Sequence, residues 1–314
     1  MEQMIAEKKY LIPTSINEAI EMAKANLESF TYMAGGTDVM VNRFQENDDS
    51  ACIIDITKIQ ELKGVSNDGI FLRMGALETL EELSNHSDIS NEFPMLIEAA
   101  LSVGAPLLRK TATIGGNILC ENRCLFYNQA EWWRESAGYC LKCDGEICIA
   151  TKGKKACFSE LVSDTAPALI AMNAQIEVVD VDGTKTIQLE DIYTGDGVAP
   201  RNLPTTAIVT SILLPLNSGF KTSFQKLRER KTLEFTSLTS AVSLDRKGNL
   251  KIALSGVDPK PVVVTGTKDD NKADLIKKAV KGSRAVDNDM YSRKYRRIMI
   301  GVYLKRSFEK LGLQ

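Results

Sequence analysis

Six of the chain's seven cysteines fall between positions 120 and 157, spaced Cys120-x3-Cys124-x15-Cys140-x2-Cys143-x4-Cys148-x8-Cys157. The same stretch holds both tryptophans and follows neither the helical nor the strand period. Something other than a hydrophobic core must therefore fix its shape, and small segments of this kind rely on a metal or on disulfides. No apolar run approaches the roughly 20 residues of a bilayer span, and Met1 to Lys9 mixes charges without the apolar core of a secretory signal. A cytoplasmic location is expected, and there cysteines stay reduced, so the cluster points to metal or redox chemistry. Spacing alone leaves two metals open. Cys120/Cys124 with Cys140/Cys143 resembles a two-pair structural zinc site, whereas Cys124, Cys140, Cys148 and Cys157 form a wide, uneven set of soft donors unlike the tight ferredoxin run. Cys52 lies in a strand pattern and is expected in the core.

The 314 residues suggest more than one compact unit. Ser15-Ile-Asn-Glu18 has the form of a capping box and opens a helix carrying Ile16, Ala19, Ile20 and Ala23 on one face, ending near Asn26. Strands are predicted at Thr31–Ala34, Ala51–Ile56 and Ile70–Met74, a second capping box at Thr79–Glu82, and a helix over Pro94–Val103. Thr111–Asn117 reads as a β-like stretch broken by paired glycines. After the cysteine-rich insert come a helix over Asp164–Met172 and strands at Gln175–Val181, Thr184–Leu189 and Ala207–Leu214. Further strands follow at Lys221–Leu227, Ser237–Asp245 and Leu250–Ser255, with helices at Lys272–Lys281 and Asp289–Leu311. The expected class is α+β, with a two-part domain over residues 1–217 and a C-terminal domain of strands then helices over 218–314.

Two turns share one design: Gly35-Gly36-Thr37 and Gly115-Gly116-Asn117 each end a β-like stretch in two glycines and a hydrogen-bonding side chain. Glycines allow φ > 0 and close approach to a ligand, and successive amides in such a turn can cradle a pyrophosphate. Thr37, Thr113 and Asn117 could add side-chain hydrogen bonds. Neither turn has the G-x-G-x-x-G fingerprint, which argues against a Rossmann site. Either turn alone reads more readily as a simple tight turn.

Other chemistry is scarce. The net charge of −2 gives no global attraction to nucleic acid or an anionic membrane, and the basic runs Lys226–Lys231 and Arg293–Arg297 read as solvated or subunit-facing surface. His86, the single histidine, falls late in a predicted helix and excludes multi-histidine metal chemistry. Trp132 and Trp133 are expected to pack over the insert. With no Ser/His/Asp set, G-x-S-x-G or P-loop, a bound cofactor must supply any chemistry.

"MAGGTDVMV" at Met33–Val41 and "TATIGGNI" at Thr111–Ile118 resemble the two flavin-binding loops of FAD subunits in the xanthine dehydrogenase and CO dehydrogenase (molybdenum hydroxylase) family, in order and separation, across essentially the whole chain. The insert, with "RCLFYNQAEWWR" at Arg123–Arg134, looks more narrowly like the β subunit of 4-hydroxybenzoyl-CoA reductases, which carries an extra [4Fe-4S] cluster in this loop. The resemblance implies FAD held by Tyr32, Met33, Ala34, Gly35, Gly36, Thr37, Asp38 and Val39 together with Thr113, Ile114, Gly115, Gly116 and Asn117. It places Val103 near the flavin, Asp164 on a ribose or other polar FAD group while also serving as a helix N-cap, and Lys226 near the flavin, although from sequence alone Lys226 reads equally well as a surface lysine. Cluster ligands would be Cys124, Cys140, Cys148 and Cys157. Cys120 would face the flavin, and Cys143 would be a bystander or alternate ligand. The implied partners are a large molybdopterin-binding subunit, a small subunit with two [2Fe-2S] clusters and reduced ferredoxin as electron donor, with no nucleic acid or membrane. A xanthine- or aldehyde-oxidising enzyme is the neighbouring reading, and a zinc-stabilised non-catalytic scaffold the reading from another class.

Overall fold

The computed structural model describes residues 8–313; the reading of the first residues as free of a signal sequence lies, up to residue 7, outside them. Strands β1 (Lys9–Leu11), β2 (Phe30–Met33) and β3 (Cys52–Asp55) form a parallel sheet in the order β1-β3-β2. The helix Ile16–Lys24 buries Ala19, Ile20 and Ala23 in the core cluster that it shares with this sheet. Its Ser15 hydroxyl accepts from the Glu18 amide at 3.2 Å. The box stays half-made, because the Glu18 carboxylate accepts instead from the Thr14 amide at 2.6 Å. Between β2 and β3 the chain crosses over through the first diglycine turn and the helix Val39–Phe44. That turn thus sits beyond the carboxyl end of a parallel strand, where α/β sheets bind ligands.

A second sheet is antiparallel and five-stranded: β4 (Val65–Asn67), β5 (Phe71–Gly75), β6 (Gln175–Asp180), β7 (Gly183–Gln188) and β8 (Ile208–Pro215), in the order β4-β5-β8-β6-β7. The Thr79–Glu82 capping box is complete and opens the helix Leu80–Ser84. The stretch Thr111–Asn117 departs from expectation. Its β-branched residues suggest a strand, yet only Thr113 makes a bridge, to Thr79. Thr113 instead caps a short helix, Ile114–Ile118, its hydroxyl accepting from the Gly116 amide at 3.1 Å. Two glycines are tolerated in that helix because space forbids more: a Cβ on Gly115 would stand 2.8 Å from the Ala76 side chain.

The third sheet, β9 (Lys221–Leu227), β10 (Leu238–Leu244), β11 (Asn249–Ser255) and β12 (Val262–Thr267), is antiparallel in the order β12-β11-β10-β9. Strand β12 was not anticipated; it follows Pro259 and Pro261, contains Gly266 and pairs on one side only, with β11. The helices Lys272–Gly282 and Arg293–Lys310 share a core cluster with this sheet. The helix Thr165–Ala171 is buried throughout, and the core around it continues to Ala241 and Ala253 of the third sheet. Sheets and helices segregated in this way make an α+β fold.

The cysteine-rich insert leaves and re-enters at one place, because Arg123 and Glu160 exchange backbone hydrogen bonds of 2.9 and 2.7 Å. Buried Arg134 ties its helix, Glu131–Ala137, to the carbonyls of Gln129 (2.6 Å) and Gln45 (2.8 Å). Both tryptophans are expected to pack over the insert; Trp132 instead is 70% exposed, while Trp133 is half-buried. At the insert's base the Glu160 carboxylate pairs with Arg296, which is fully buried and also donates to the carbonyls of Gly256 (2.8 Å) and Val286. Burial pushes the Glu160 carboxyl up to about 8 against the pull of Arg296. His86 does not lie within a helix but just before Ser87–Glu92. Among the described residues no helix is long and apolar enough to cross a membrane.

Candidate cofactor site

A cavity of about 410 Å³ opens where the first two sheets meet the loop after β9, within the usual size of small-molecule sites. Tyr32, Ala34, Gly35, Gly36, Thr37, Asp38 and Val39 line it from the first diglycine turn, and Thr113, Gly115, Gly116 and Asn117 from the second. The turns press together, for a Cβ on Gly35 would stand 1.7 Å from the Thr111 carbonyl oxygen. Gly36 has φ +70°, which favours glycine. Met33 and Ile114 are not part of the lining. Strand alternation sends Met33 to the face opposite Tyr32 and Ala34, and Ile114 is fully buried in the core.

The two turns differ in what they offer an anion. In the second, the amides of Ile114, Gly115, Gly116 and Asn117 already donate to Glu78, Ala76 and Thr113. In the first, the amides of Gly35 to Val39 meet no protein acceptor among the described residues. A row of free donors followed by the start of a helix is a ready anion nest. The expectation that both turns present amides is corrected accordingly: the second supplies close packing and the first supplies the donors. Side chains are more committed than the sequence suggests. The Asp38 carboxylate accepts from the Glu121 amide at 2.9 Å and pairs with Arg123. The side-chain oxygen of Asn117 accepts from the Ser163 hydroxyl, the Thr165 hydroxyl (2.6 Å) and the Thr165 amide.

Val103, Cys120 and Asp164 also line the cavity. Asp164 occupies the N-cap position of Thr165–Ala171 without capping it; the Ser163 hydroxyl accepts from the Ala166 amide instead. The Asp164 carboxylate is buried between the Lys226 ammonium at 2.5 Å and the Thr239 hydroxyl at 2.8 Å. Burial raises its pKa above the ordinary carboxylate range even beside that cation. Lys226 lies behind the cavity wall. Its side chain is 3% exposed, ruling out a surface lysine, and it also donates to the carbonyls of Ser102 and Glu234 at 3.0 Å each. Ala76, Leu77, Ala207–Val209 and Leu233–Phe235 are also part of the wall, without any motif to announce them. Phe235 lies under the Arg123 guanidinium, 4.7 Å from ring centroid to carbon, so the loop after β9 is tied to the insert.

A second, small cavity of about 10 Å³ lies inside the insert and is lined by Cys124, Cys140, Cys148 and Cys157 together. All seven cysteines are free thiols. Tight turns present several of them: Cys140 accepts from the amides of Cys143 (2.7 Å) and Gly145 (2.9 Å), and Cys148 from that of Lys152 (2.7 Å). Gly197 backs the Cys157 sulfur so closely that a Cβ would stand 2.8 Å from it. Cys143 is not in the lining; its thiol hydrogen-bonds to Cys140, which favours the Cys140 thiolate and lowers that thiol's pKa below its ordinary value. Burial pushes Cys124 and Cys120 up to about 12. Among the described residues no three His, Cys, Asp or Glu side chains are grouped to hold one metal ion. Cys120 opens onto the larger cavity and Cys124 onto the smaller, and four residues span at most about 14 Å of chain.

A two-turn cradle whose first turn leaves a row of amides free is a site for an anionic, phosphate-bearing ligand. Residues 4–217 match the family model described as the FAD binding domain in molybdopterin dehydrogenase, and the chain belongs to that family, as an FAD-binding medium-subunit chain of the molybdenum hydroxylases. It is 27% identical over 245 residues to the aldehyde oxidoreductase FAD-binding subunit of Escherichia coli (strain K12), covering 73% of this chain and 75% of that one. It is 22% identical to the glyceraldehyde dehydrogenase medium chain of Sulfolobus acidocaldarius, covering 98% and 99%. In fold it is similar to carbon monoxide dehydrogenase from Hydrogenophaga pseudoflava, with a TM-score of 0.73 at 19% identity over 97% of this chain and 96% of that one.

Proposed function

We propose that this chain holds FAD in the larger cavity and a [4Fe-4S] cluster on Cys124, Cys140, Cys148 and Cys157, and that it carries electrons inside an enzyme whose substrate site lies on a partner subunit. FAD exchanges one or two electrons and a cluster one, redox chemistry that side chains lack. The chain's own residues do the holding. The amides of Gly35–Val39 would bind the pyrophosphate, the second turn and Val103 would shape the cradle, and the Lys226-braced Asp164 would meet a polar group of the cofactor. A cluster gives each thiolate its own iron, so its ligands surround a space instead of converging on one point. The observation that carries this reading is that four cysteines face one cavity while Cys120, four residues before the first of them, faces the other. In this reading residues 1–217 are the FAD-binding part and 218–314 the C-terminal part.

Anaerobically purified protein should contain FAD with equal amounts of iron and sulfide. Cys140→Ser and Cys148→Ser should each lose most of the iron, while Cys143→Ser should keep it; zinc in place of iron, or a Cys143→Ser protein stripped of iron, would refute the ligand set.

For the complete enzyme, a large molybdopterin-binding subunit and a small subunit with two [2Fe-2S] clusters are the proposed partners. The relatives' names favour oxidation of an aldehyde, a purine or a similar substrate. The cysteine insert favours a 4-hydroxybenzoyl-CoA reductase, with reduced ferredoxin as donor. The two readings run electrons in opposite directions. If the reductive one holds, reduced ferredoxin bleaches the flavin of the complex and 4-hydroxybenzoyl-CoA is turned over; turnover of xanthine or an aldehyde with no response to ferredoxin would replace it with the oxidative one.

A further inference from the structure

Lys142 is a buried cation of the insert, and unlike the buried Arg123 and Arg134 it lines the cysteine cavity. Its side chain is 6% exposed, and it lines the same cavity as the four cysteines. The ammonium donates to the Gly197 carbonyl at 2.7 Å, pairs with the Glu121 carboxylate, and lies 4.9 Å from the centre of the Tyr127 ring. Gly197 is the residue that backs the Cys157 sulfur, so the charge is held at the sulfur side of the cavity. Glu121 is 34% exposed and does not line the cavity. Its amide donates to Asp38 of the first diglycine turn.

Resting on the cluster reading above, we propose that Lys142 is a positioning residue that raises the reduction potential of the group bound by the four cysteines, with Glu121 as the counter-charge that moderates it. Each one-electron reduction adds a negative charge to the insert. A fixed cation at the cavity wall favours that charge, and it does so strongly where water is excluded. A carboxylate paired with the same ammonium, and absent from the cavity lining, opposes it. Nearby charge and burial are among the levers that set cluster potentials, and here the buried Lys142 ammonium supplies the charge while Glu121 offsets part of it. Lys142 is also well placed to act without bonding to sulfur, since its ammonium donates to oxygens: the Glu121 carboxylate and the Gly197 and Asn122 carbonyls.

The test is an anaerobic redox titration of the full chain followed by electron paramagnetic resonance, with iron, sulfide and flavin measured on the same samples. Lys142→Met should lower the cluster midpoint, Glu121→Gln should raise it, and Lys142→Arg should stay near the wild type. Shifts of opposite sign from the two halves of one ion pair are not what a purely structural role produces. Cluster-loaded variants with an unmoved midpoint, or with both midpoints moved the same way, overturn the proposal. Should Lys142→Met lose its iron, Glu121→Gln decides: an upward shift supports the proposal and an unmoved midpoint overturns it. A wild-type chain free of iron and sulfide removes the cluster reading and this inference together, whereas a loaded wild type with unresponsive variants removes this inference alone.

Discussion

Gly35→Ala should yield a protein that no longer retains flavin. The new methyl group would stand 1.7 Å from the Thr111 carbonyl oxygen, and because that oxygen belongs to the backbone, no side chain can rotate to relieve the overlap. The two diglycine turns must move apart, which misplaces the free amides of Gly35–Val39 and opens the cradle. Overpacking of this kind costs about 1–3 kcal/mol of stability. The loss in FAD affinity should reach at least a hundredfold, about 3 kcal/mol, seen as missing absorbance of bound flavin and as weak rebinding by calorimetry. Gly36→Ala is the internal comparison. Its Cβ would find its nearest neighbour at 3.4 Å, so only the positive φ is unfavourable, a cost of about 1–2 kcal/mol. Equal flavin retention by the two variants would show that contact between the turns is not what shapes the site.

Arg296→Met should be the most destabilising single change outside the flavin cavity. Removing a fully buried guanidinium leaves the Glu160 carboxyl without its cation and the Gly256 and Val286 carbonyls without a donor. Breaking one half of a buried pair costs about 3–5 kcal/mol, measurable by denaturant unfolding. Glu160 closes the base of the insert through its backbone, so iron content should fall along with stability. Replacing both partners by methionine should recover much of the loss, since an apolar pair leaves no stranded charge. A single variant as stable as the wild type would mean that the pair contributes nothing to holding the insert.

The sequence was most informative where local physics decides the outcome. Thr79–Glu82 forms the capping box its spacing implies, and the alternation of Gln175–Asp180 gives a strand with one face buried. Paired glycines located both turns because nothing larger fits at Gly35 and Gly115. The same residues misled at Thr111–Asn117, where threonine and isoleucine suggested a strand and the Thr113 cap made a helix. Which amides remain free could not be read from spacing at all. It depends on Ala76 and Glu78, some 40 residues away in the chain by rough count, accepting from the second turn. Lys226 reads from sequence as one of a basic surface run, and it is buried by the approach of Asp164 and the Ser102 and Glu234 carbonyls. Lys142 carried no motif; its meaning comes from Glu121 and Gly197, which tertiary folding alone brings to it.

The wall of the flavin cavity does not respect the limit of the matched family segment. Leu233–Phe235 lie beyond residue 217 and close one side, and Lys226 supplies the only ammonium that touches Asp164 among the described residues. A fragment excised at residue 217 would thus keep every glycine of the cradle yet strand a carboxylate in its floor and leave one flank open to water. Cofactor retention is in this sense a property of the joint between the segments, and remodelling of the third sheet would reach the cavity both through Lys226 behind Asp164 and through the wall at Leu233–Phe235.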